Sequence, residues 1–375
     1  MTTSNTTSDL RNINRHSVFD LIYQERVISK KQISQALNMS LPTVTQNLKE
    51  LVQIGYVNRK GLFESTGGRK AEVYSFIAAA RISIGVIILK EMFHIVAADL
   101  YGNIQYEEDY PVPFYNDNAF FSQLGEEIDR FVEVAKIDRS RILGVCIALQ
   151  GLVSTDRTTV IYSDILKCKG LTLQEISANI HFPCTLIHDT FATATSEIWV
   201  RKDIQTAAFI SLNRYLGGSL ILDGKVCEGR NLSSVLEHMR LYPNGKKCYC
   251  GKNGCFESYC SAYALQRDAG ETLGSFFEAL RKGDPKRAEI WNNYLHNLAV
   301  AINNIRMLID CEFIIGGHLL QFMVQSDFDI LQKYADEECP FDFAGIKISR
   351  SKCSDNAAAY GAALLLIRDF MARPI

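Results

Sequence analysis

The stretch from Glu237 to Cys260, EHMRLYPNGKKCYCGKNGCFESYC, constrains this chain more than any other. It brings His238, Cys248, Cys250 and Cys255 into one short segment, with Gly251 and Gly254 placed to let the backbone turn back on itself. Three thiolates and one imidazole form the closed tetrahedral set that Zn2+ takes at structural sites. A metal held there pins the segment carrying His238 to the cysteine turn. The competing reading is packing, because a free cysteine behaves as a small hydrophobe. The chain has 11 cysteines, and Cys146, Cys184 and Cys311 lie in apolar runs that suit that role. Cys248 and Cys250 lie instead among lysines and glycines, where packing gives them no reason to exist, so a structural Zn2+ is expected. An odd cysteine count and the lack of a signal-peptide pattern argue against disulfides and for a cytoplasmic protein.

A chain of 375 residues exceeds one comfortable core, which predicts two or three domains. No apolar run reaches the length of a membrane span, so no membrane insertion is expected. The net charge of -2 is unevenly spread. Through Glu72, ten lysines and arginines face six acids, a balance of +4; the remainder carries 30 against 36, or -6. A basic head on an acidic body points to a polyanionic partner for the head.

The head has helical periodicity from Leu10 to Ile22. Ser29 with Gln32 then reads as a capping box opening a second helix. After a turn at Asn38–Ser40 comes LPTVTQNLKELVQIG, with Pro42 in the first helical turn and Val44, Leu48, Leu51 and Val52 on one face. Its other face offers Ser40, Thr43, Thr45, Gln46 and Lys49, groups suited to base edges and phosphates. Two short strands, Tyr56–Asn58 and Ala71–Phe76, flank a loop containing Arg69 and Lys70. This is the pattern of a winged helix-turn-helix that places a helix in the major groove of double-stranded DNA. A small helical protein-protein module is the alternative.

The body opens with three alternating strands (82–89, 94–100 and 105–110), a helix over 118–135, and the buried-strand run ILGVCIALQG. A strand at 184–187 ends at His188 and Asp189, just before a helix over 191–199. A carboxylate there is either a ligand group, as open α/β sheets place them, or a helix N-cap. Strands at 206–212 and 220–226, with Gly217 and Gly218 leading into the latter, begin a second series. It continues through a helix at 274–281, a long helix at 286–308, FIIGGH opening another helix, a strand at 346–348 and an Ala-rich terminal helix.

Strand-strand-strand-helix-strand-helix-strand-helix, twice over, resembles the actin-like ATPase fold of sugar kinases. With the head and the cysteine-glycine cluster, the chain resembles ROK-family (repressor, open reading frame, kinase) transcriptional regulators of the NagC/Mlc/XylR type over nearly its whole length. The cysteine-glycine stretch is the most specific part; IHDTFATATSE, IIGGH and DNAAAYGAALL match further family stretches. The resemblance implies an α/β architecture, a winged helix-turn-helix followed by a two-lobed sugar-kinase-like body. The corresponding units are residues 1–78, 79–200 (completed by 355–375) and 201–354. It further implies that Asp189 is the sugar ligand that serves the family's kinases as base, that His238 both binds zinc and touches sugar, and that Glu257 is another sugar ligand. His188 replaces the family's asparagine beside Asp189.

Departures from the family pattern carry further expectations. Where its kinases have an Asp-x-Gly-Gly-Thr phosphate loop, this chain has GVIILKEMF, with Ile87, Leu89, Lys90 and Glu91. Asn213 and Tyr215 replace glycines of the second phosphate stretch. Phosphate cradles need exposed backbone N–H groups and little side chain, so the chain is expected not to be an enzyme. In the family's Gly-Glu-x-Gly-His run, the glutamate falls on Val235 and the glycine before the histidine on Glu237. An altered sugar, a derivative with an apolar substituent, or no ligand follows; Lys167, Lys169 and His188 suit an acidic or phosphorylated one. The expected function is a homodimeric or homotetrameric regulator that binds a palindromic operator, represses carbohydrate-utilisation genes and answers to a sugar in the interlobe cleft. The rivals are a sugar kinase with a regulatory head, and a protein-interaction module without a sugar effector.

Overall fold

Local signals set the first elements of the computed structural model, which describes residues 7–62, 72–229, 235–341, 345–353 and 356–375. Helix α1 (Thr7–Glu25) turns Val18, Phe19 and Ile22 into a core shared with α2 (Lys30–Ala36) and α3 (Leu41–Ile54). Ser29 caps α2 as its sequence predicts: its hydroxyl accepts the Gln32 N–H at 3.3 Å, and the Gln32 carboxamide oxygen accepts the Ser29 N–H at 3.0 Å. Ser40 caps α3, and Gly55 ends it at φ 89°, a left-handed conformation that favours glycine. Strands β1 (Val27–Ser29), β2 (Val57–Leu62) and β3 (Glu72–Phe76) form an antiparallel sheet in the order β1-β3-β2. Sequence alternation misses β1 because three residues are too few to show a period of two. Arg69 and Lys70 lie outside the described residues.

Two five-stranded sheets follow, and they repeat one strand order. The first runs β11-β7-β4-β5-β6, built from β4 (Ile82–Ile88), β5 (Phe93–Asp99), β6 (Ile104–Tyr110), β7 (Ile142–Leu149) and β11 (Cys184–His188). The second runs β14-β13-β12-β15-β16, built from β12 (Ala207–Leu212), β13 (Leu216–Leu222), β14 (Lys225–Val226), β15 (Glu312–Gly316) and β16 (Ile348–Arg350). In each, an antiparallel meander supplies its first strand to a parallel pair beyond it. Between β7 and β11 lies a small sheet of β8 (Leu152–Val153), β9 (Thr159–Tyr162) and β10 (Leu171–Thr172), too short to signal itself in sequence. Helix α4 (Asn118–Val134) covers the first sheet with Phe121, Leu124, Ile128 and Phe131; α5 (Leu173–Ile176) and α6 (Asp189–Val200) complete that series. Helices α7 (Glu257–Cys260), α8 (Ala262–Ala269), α9 (Leu273–Arg281), α10 (Pro285–Arg306) and α11 (Gln325–Glu337) attend the second sheet.

Two expectations about this half are corrected. Gly217 and Gly218 lie inside β13 rather than leading into it. A Cβ on Gly217 would stand 2.3 Å from Thr190 Cγ2, and one on Gly218 2.6 Å from Leu236 Cδ1. The glycines serve close approach of neighbouring elements, not a turn. FIIGGH leads into a 3-10 turn at His318–Phe322, with α11 beginning only at Gln325.

Helix α12 (Ala357–Met371) lies across β4, β5, β7 and α6. Small residues let it settle: Gly361 sits against the Ala192 carbonyl, Gly85 of β4 against that of Ala359. Its far end enters the head. Ala363, Leu364 and Ile367 share one buried cluster with Val18, Phe19 and Ile22, the rings of Tyr56 and Phe370 lie 6.0 Å apart, and Arg15 Nε donates to the Ile375 main-chain oxygen at 2.5 Å. Among the described residues no helix is long and apolar enough to cross a membrane.

Candidate functional site

Parallel strands of open α/β sheets present ligand groups at their carboxyl ends, and β11 does so with His188 and Asp189. Asp189 is the first residue of α6 rather than its N-cap; His188 holds that position without a side-chain cap bond. The Asp189 carboxylate accepts the Thr190 N–H at 2.9 Å, and His188 Nε2 stands 3.3 Å from it while His188 Nδ1 meets the Thr190 hydroxyl at 3.0 Å. Burial pushes the Asp189 carboxyl above its usual range, with His188 opposing.

Two cavities meet at this carboxylate. The inner one, about 170 Å³, is lined by His188, Asp189, Glu237, His238, Tyr249 and Asp164 among others. The outer one, about 430 Å³, is lined by Ile87, Leu89, Lys90, Glu91, Arg214 and Gly317 among others. Gln150, Asp189, Asn213 and Tyr215 face both. The altered stretches singled out in the sequence therefore wall a real cavity. Asn213 braces the glycine pair: its side-chain oxygen accepts the His318 N–H at 2.7 Å, and its amide donates to the Ser211 hydroxyl at 2.9 Å.

Glu237 and Glu257 lie on either side of the metal loop. Glu257 is 3% exposed and accepts the Leu216 N–H at 2.6 Å; it supports the cavity wall at Leu216 and is not itself among the lining residues. Glu237 is 7% exposed and does line the inner cavity, with Oε2 making no hydrogen bond. Burial pushes both carboxyls up to about 8, and Asp189 adds to the rise at Glu237. Lys167 points outward to Asp164 at 2.9 Å and, like Lys169, is exposed and outside the cavity lining. The lysine part of the charge argument for an acidic or phosphorylated ligand is thereby removed; His188 does line the cavity. Sequence reasoning also passed over Tyr249. Its place between Cys248 and Cys250 was the available signal, since a turn that brings both thiols to one point must send that ring elsewhere.

His238, Cys248, Cys250 and Cys255 converge, their donor atoms all within 4.8 Å of one another. Cys248 Sγ lies 3.7 Å from His238 Nδ1, and Cys250 Sγ lies 3.7 Å from Cys255 Sγ. Bonds of about 2.0–2.3 Å to a tetrahedral ion set donor separations on the order of 3.5–3.8 Å, so these residues could hold a metal ion. Burial pushes the Cys248 thiol up to about 12; a bound cation supplies the charge that makes such thiols thiolates. The loop is tightly folded: a Cβ on Gly254 would strike the Tyr242 carbonyl, and Gly254 has φ 78°.

In the head, Ser40, Thr45, Gln46 and Lys49 are exposed on α3 and Thr43 is half-buried. Several are already engaged. Ser40 Oγ and Thr43 Oγ1 share a hydrogen bond of 2.8 Å, Thr45 donates to the Leu41 carbonyl at 2.7 Å, and Gln46 donates to Glu50 at 2.8 Å. Glu50 in turn pairs with Arg11 and Arg15 of α1, which sequence reading left out.

A winged helix-turn-helix on a two-lobed sugar-kinase-like α/β body defines the class of this protein. The chain belongs to the ROK family, whose model matches residues 83–369; a winged helix-turn-helix DNA-binding model matches residues 11–58. It is 22% identical to the xylose repressor of Caldicellulosiruptor bescii, covering 97% of this chain and 98% of that one. A crystal structure of a ROK-family transcriptional regulator, a homologue of the E. coli MLC protein, superposes with a TM-score of 0.78 at 24% identity, covering 96% of both chains. The N-acetyl-D-glucosamine kinase of Vibrio vulnificus is 28% identical over 59% of this chain and 80% of its own. Solved sugar kinases share the fold of the body as well. These kinase relatives overturn the expectation, drawn from the altered phosphate stretches, that the chain is not an enzyme. Side chains that replace glycines still leave the outer cavity open against Asp189.

Proposed function

We propose that this protein is a sequence-specific DNA-binding regulator of carbohydrate-utilisation genes, governed by a monosaccharide held against Asp189 in the inner cavity. One observation carries the reading. α6 begins at Asp189, packs along α12, and α12 ends inside the core of the DNA-binding head. A ligand on Asp189 and a duplex on α3 thus act on one continuous packed body. The ligand changes DNA affinity only to the extent that it prefers one head arrangement over another. A homodimer or homotetramer presents two α3 helices to the halves of a palindrome about one helical turn, or a multiple, apart. Zn2+ is the ion the Cys3His set suits, and it acts structurally, fixing His238 and Tyr249 at the cavity wall.

Selection of DNA fragments by the purified full-length protein at about 0.15 M salt tests this. Enrichment of a palindrome whose retention changes with added monosaccharide is expected. No enrichment by folded, metal-loaded protein refutes the regulator.

A second reading has its own support: the two cavities meet at Asp189, the arrangement a sugar kinase needs, with acceptor hydroxyl and phosphoryl donor on opposite sides of a base. In that reading the head regulates a body that phosphorylates its sugar. Incubation with ATP, Mg2+ and a panel of monosaccharides tests it, sugar phosphate being the product sought.

A further inference from the structure

Glu237 occupies the 3-10 turn Leu236–His238, directly before a metal ligand, and that turn is pressed onto β13 where Gly218 leaves room for Leu236. The packing holds the carboxyl in place: it is 7% exposed and lines the inner cavity, yet Oε2 has no hydrogen-bond partner. Buried polar atoms are nearly always satisfied, and an orphan on a residue that lines a cavity calls for a partner the protein does not supply. The rest of the wall narrows the ligand's chemistry. Asp164 and Asp189 add two more carboxylates, and among the described residues no lysine or arginine lines the cavity. The rings of Tyr215 and Tyr249 meet edge to face at 5.6 Å, and Tyr249 meets His238 edge to face at 5.2 Å, adding aromatic surface to the wall. A cavity of about 170 Å³ is below the range of drug-sized ligand sites.

We propose that Glu237 is a specificity-determining residue of this cleft: its free carboxyl oxygen accepts a hydrogen bond from a ring hydroxyl or amino group, selecting neutral or amino monosaccharides and rejecting sugar acids. The inference rests on the reading of the inner cavity as a monosaccharide site. The carboxylate that the family pattern puts at position 235 is lost to Val235, and Glu237 returns one to the same turn two residues on. An anionic substituent would meet Glu237, which has no cationic partner, beside Asp164 and Asp189, which Lys167 and His188 already attend.

The test is calorimetric titration of full-length, metal-loaded protein with D-glucose, D-xylose, D-glucosamine and D-glucuronate. At least one of the first three binds, and D-glucuronate binds at least tenfold more weakly. Glu237→Ala weakens the preferred ligand at least tenfold with metal content unchanged. Glu237→Gln, whose amide oxygen still accepts, restores most of the affinity for a neutral sugar but not for D-glucosamine. Where Glu237→Ala loses its metal, the Glu237→Gln pattern alone decides. Tighter binding of D-glucuronate, affinities indifferent to both substitutions, or no binding by any probe overturns the proposal. DNA selection on the same preparations separates the two failures: a palindrome enriched while the titrations fail leaves the regulator standing and removes Glu237. The expected titrations without enrichment do the reverse.

Discussion

The Ser196 hydroxyl of α6 donates to the Ala357 carbonyl of α12 at 2.6 Å, tying the helix that starts at Asp189 to the helix that ends in the DNA-binding head. Both groups are buried, so the bond has no water to compete with it and unmaking it would leave two unsatisfied polar atoms. One helical turn along, Gly361 leaves its neighbour no slack, because a Cβ would come 1.7 Å from the Ala192 carbonyl. The ligand cleft and the head are joined through a contact that side-chain motion cannot absorb.

Gly361→Ala should therefore force α6 and α12 apart. Overpacking of this kind costs about 1–3 kcal/mol, read as a lower denaturation midpoint. The effect of a bound monosaccharide on DNA affinity should fall with it, while metal content stays unchanged. A variant with wild-type stability and response would show that the two helices are not tightly coupled.

Cys250→Ala removes one of four converging donors. Metal measured by mass spectrometry should drop below one ion per chain, and the loop should lose its protection from proteolysis near Gly251. Monosaccharide affinity should fall too, because Tyr249 and His238 are placed in the cavity wall by the same loop. Full metal content in the variant would assign the site to other ligands.

On α3, Lys49 is exposed and bears the charge, whereas Thr45 and Gln46 each donate one bond within the head, to Leu41 and Glu50, and keep oxygens free to accept from base edges. Lys49→Ala should weaken all DNA sequences nearly alike and lower the salt slope by about one. Gln46→Ala should cost about 1–3 kcal/mol on the selected site and little elsewhere. Binding titrations on specific and scrambled duplexes at several salt concentrations separate the two.

Acid should loosen the head at a predictable pH. Hydrogen bonds from Arg11 and Gln46, then Arg15, hold the Glu50 carboxyl at about 2, below its ordinary 4.5. A depressed carboxyl contributes stability that is fully present above 4.5 and is lost as pH falls towards 2. Glu50 keeps 14% of its side-chain surface, and its ion pairs are worth under about 1 kcal/mol. Glu50→Gln should flatten that part of the acid-unfolding curve, followed by the amide signals of α1 and α3; an unchanged curve would place the acid lability elsewhere.

Asp189→Asn keeps a hydrogen-bonding side chain at the junction of the cavities but removes its charge and its capacity as a base. Monosaccharide affinity should fall about tenfold or more, as expected when a hydroxyl loses a buried carboxylate partner. Any sugar phosphate formed with ATP should disappear. Retained turnover would exclude Asp189 as the base.

The signals that sequence carried were short-range. Ser29 and Gln32 are three residues apart, and their capping box is set by the chain's own geometry. The converging four-donor set was legible because Cys248, Cys250 and Cys255 share one turn, with His238 brought to it by the same segment. The repeated strand series was legible because buried strands and amphipathic helices each declare their own period. What failed lay between distant segments. Gly217 and Gly218 looked like turn residues because nothing near them in sequence names Thr190 and Leu236 as the atoms they admit. Lys167 looked like a ligand group because charge is visible in sequence and direction is not.

Neighbouring residues alone carried the class: a basic winged head, two copies of one α/β series and a loop with four candidate metal donors. Tertiary packing alone set the surroundings of each carboxylate in the site. It buried Glu237 with an unmet oxygen, held Glu257 on a backbone N–H, and split the cleft into two cavities that meet at Asp189. The physical reason is that burial and desolvation belong to surroundings assembled from far along the chain. A carboxylate's role follows from those surroundings, and its place in the sequence does not reveal them.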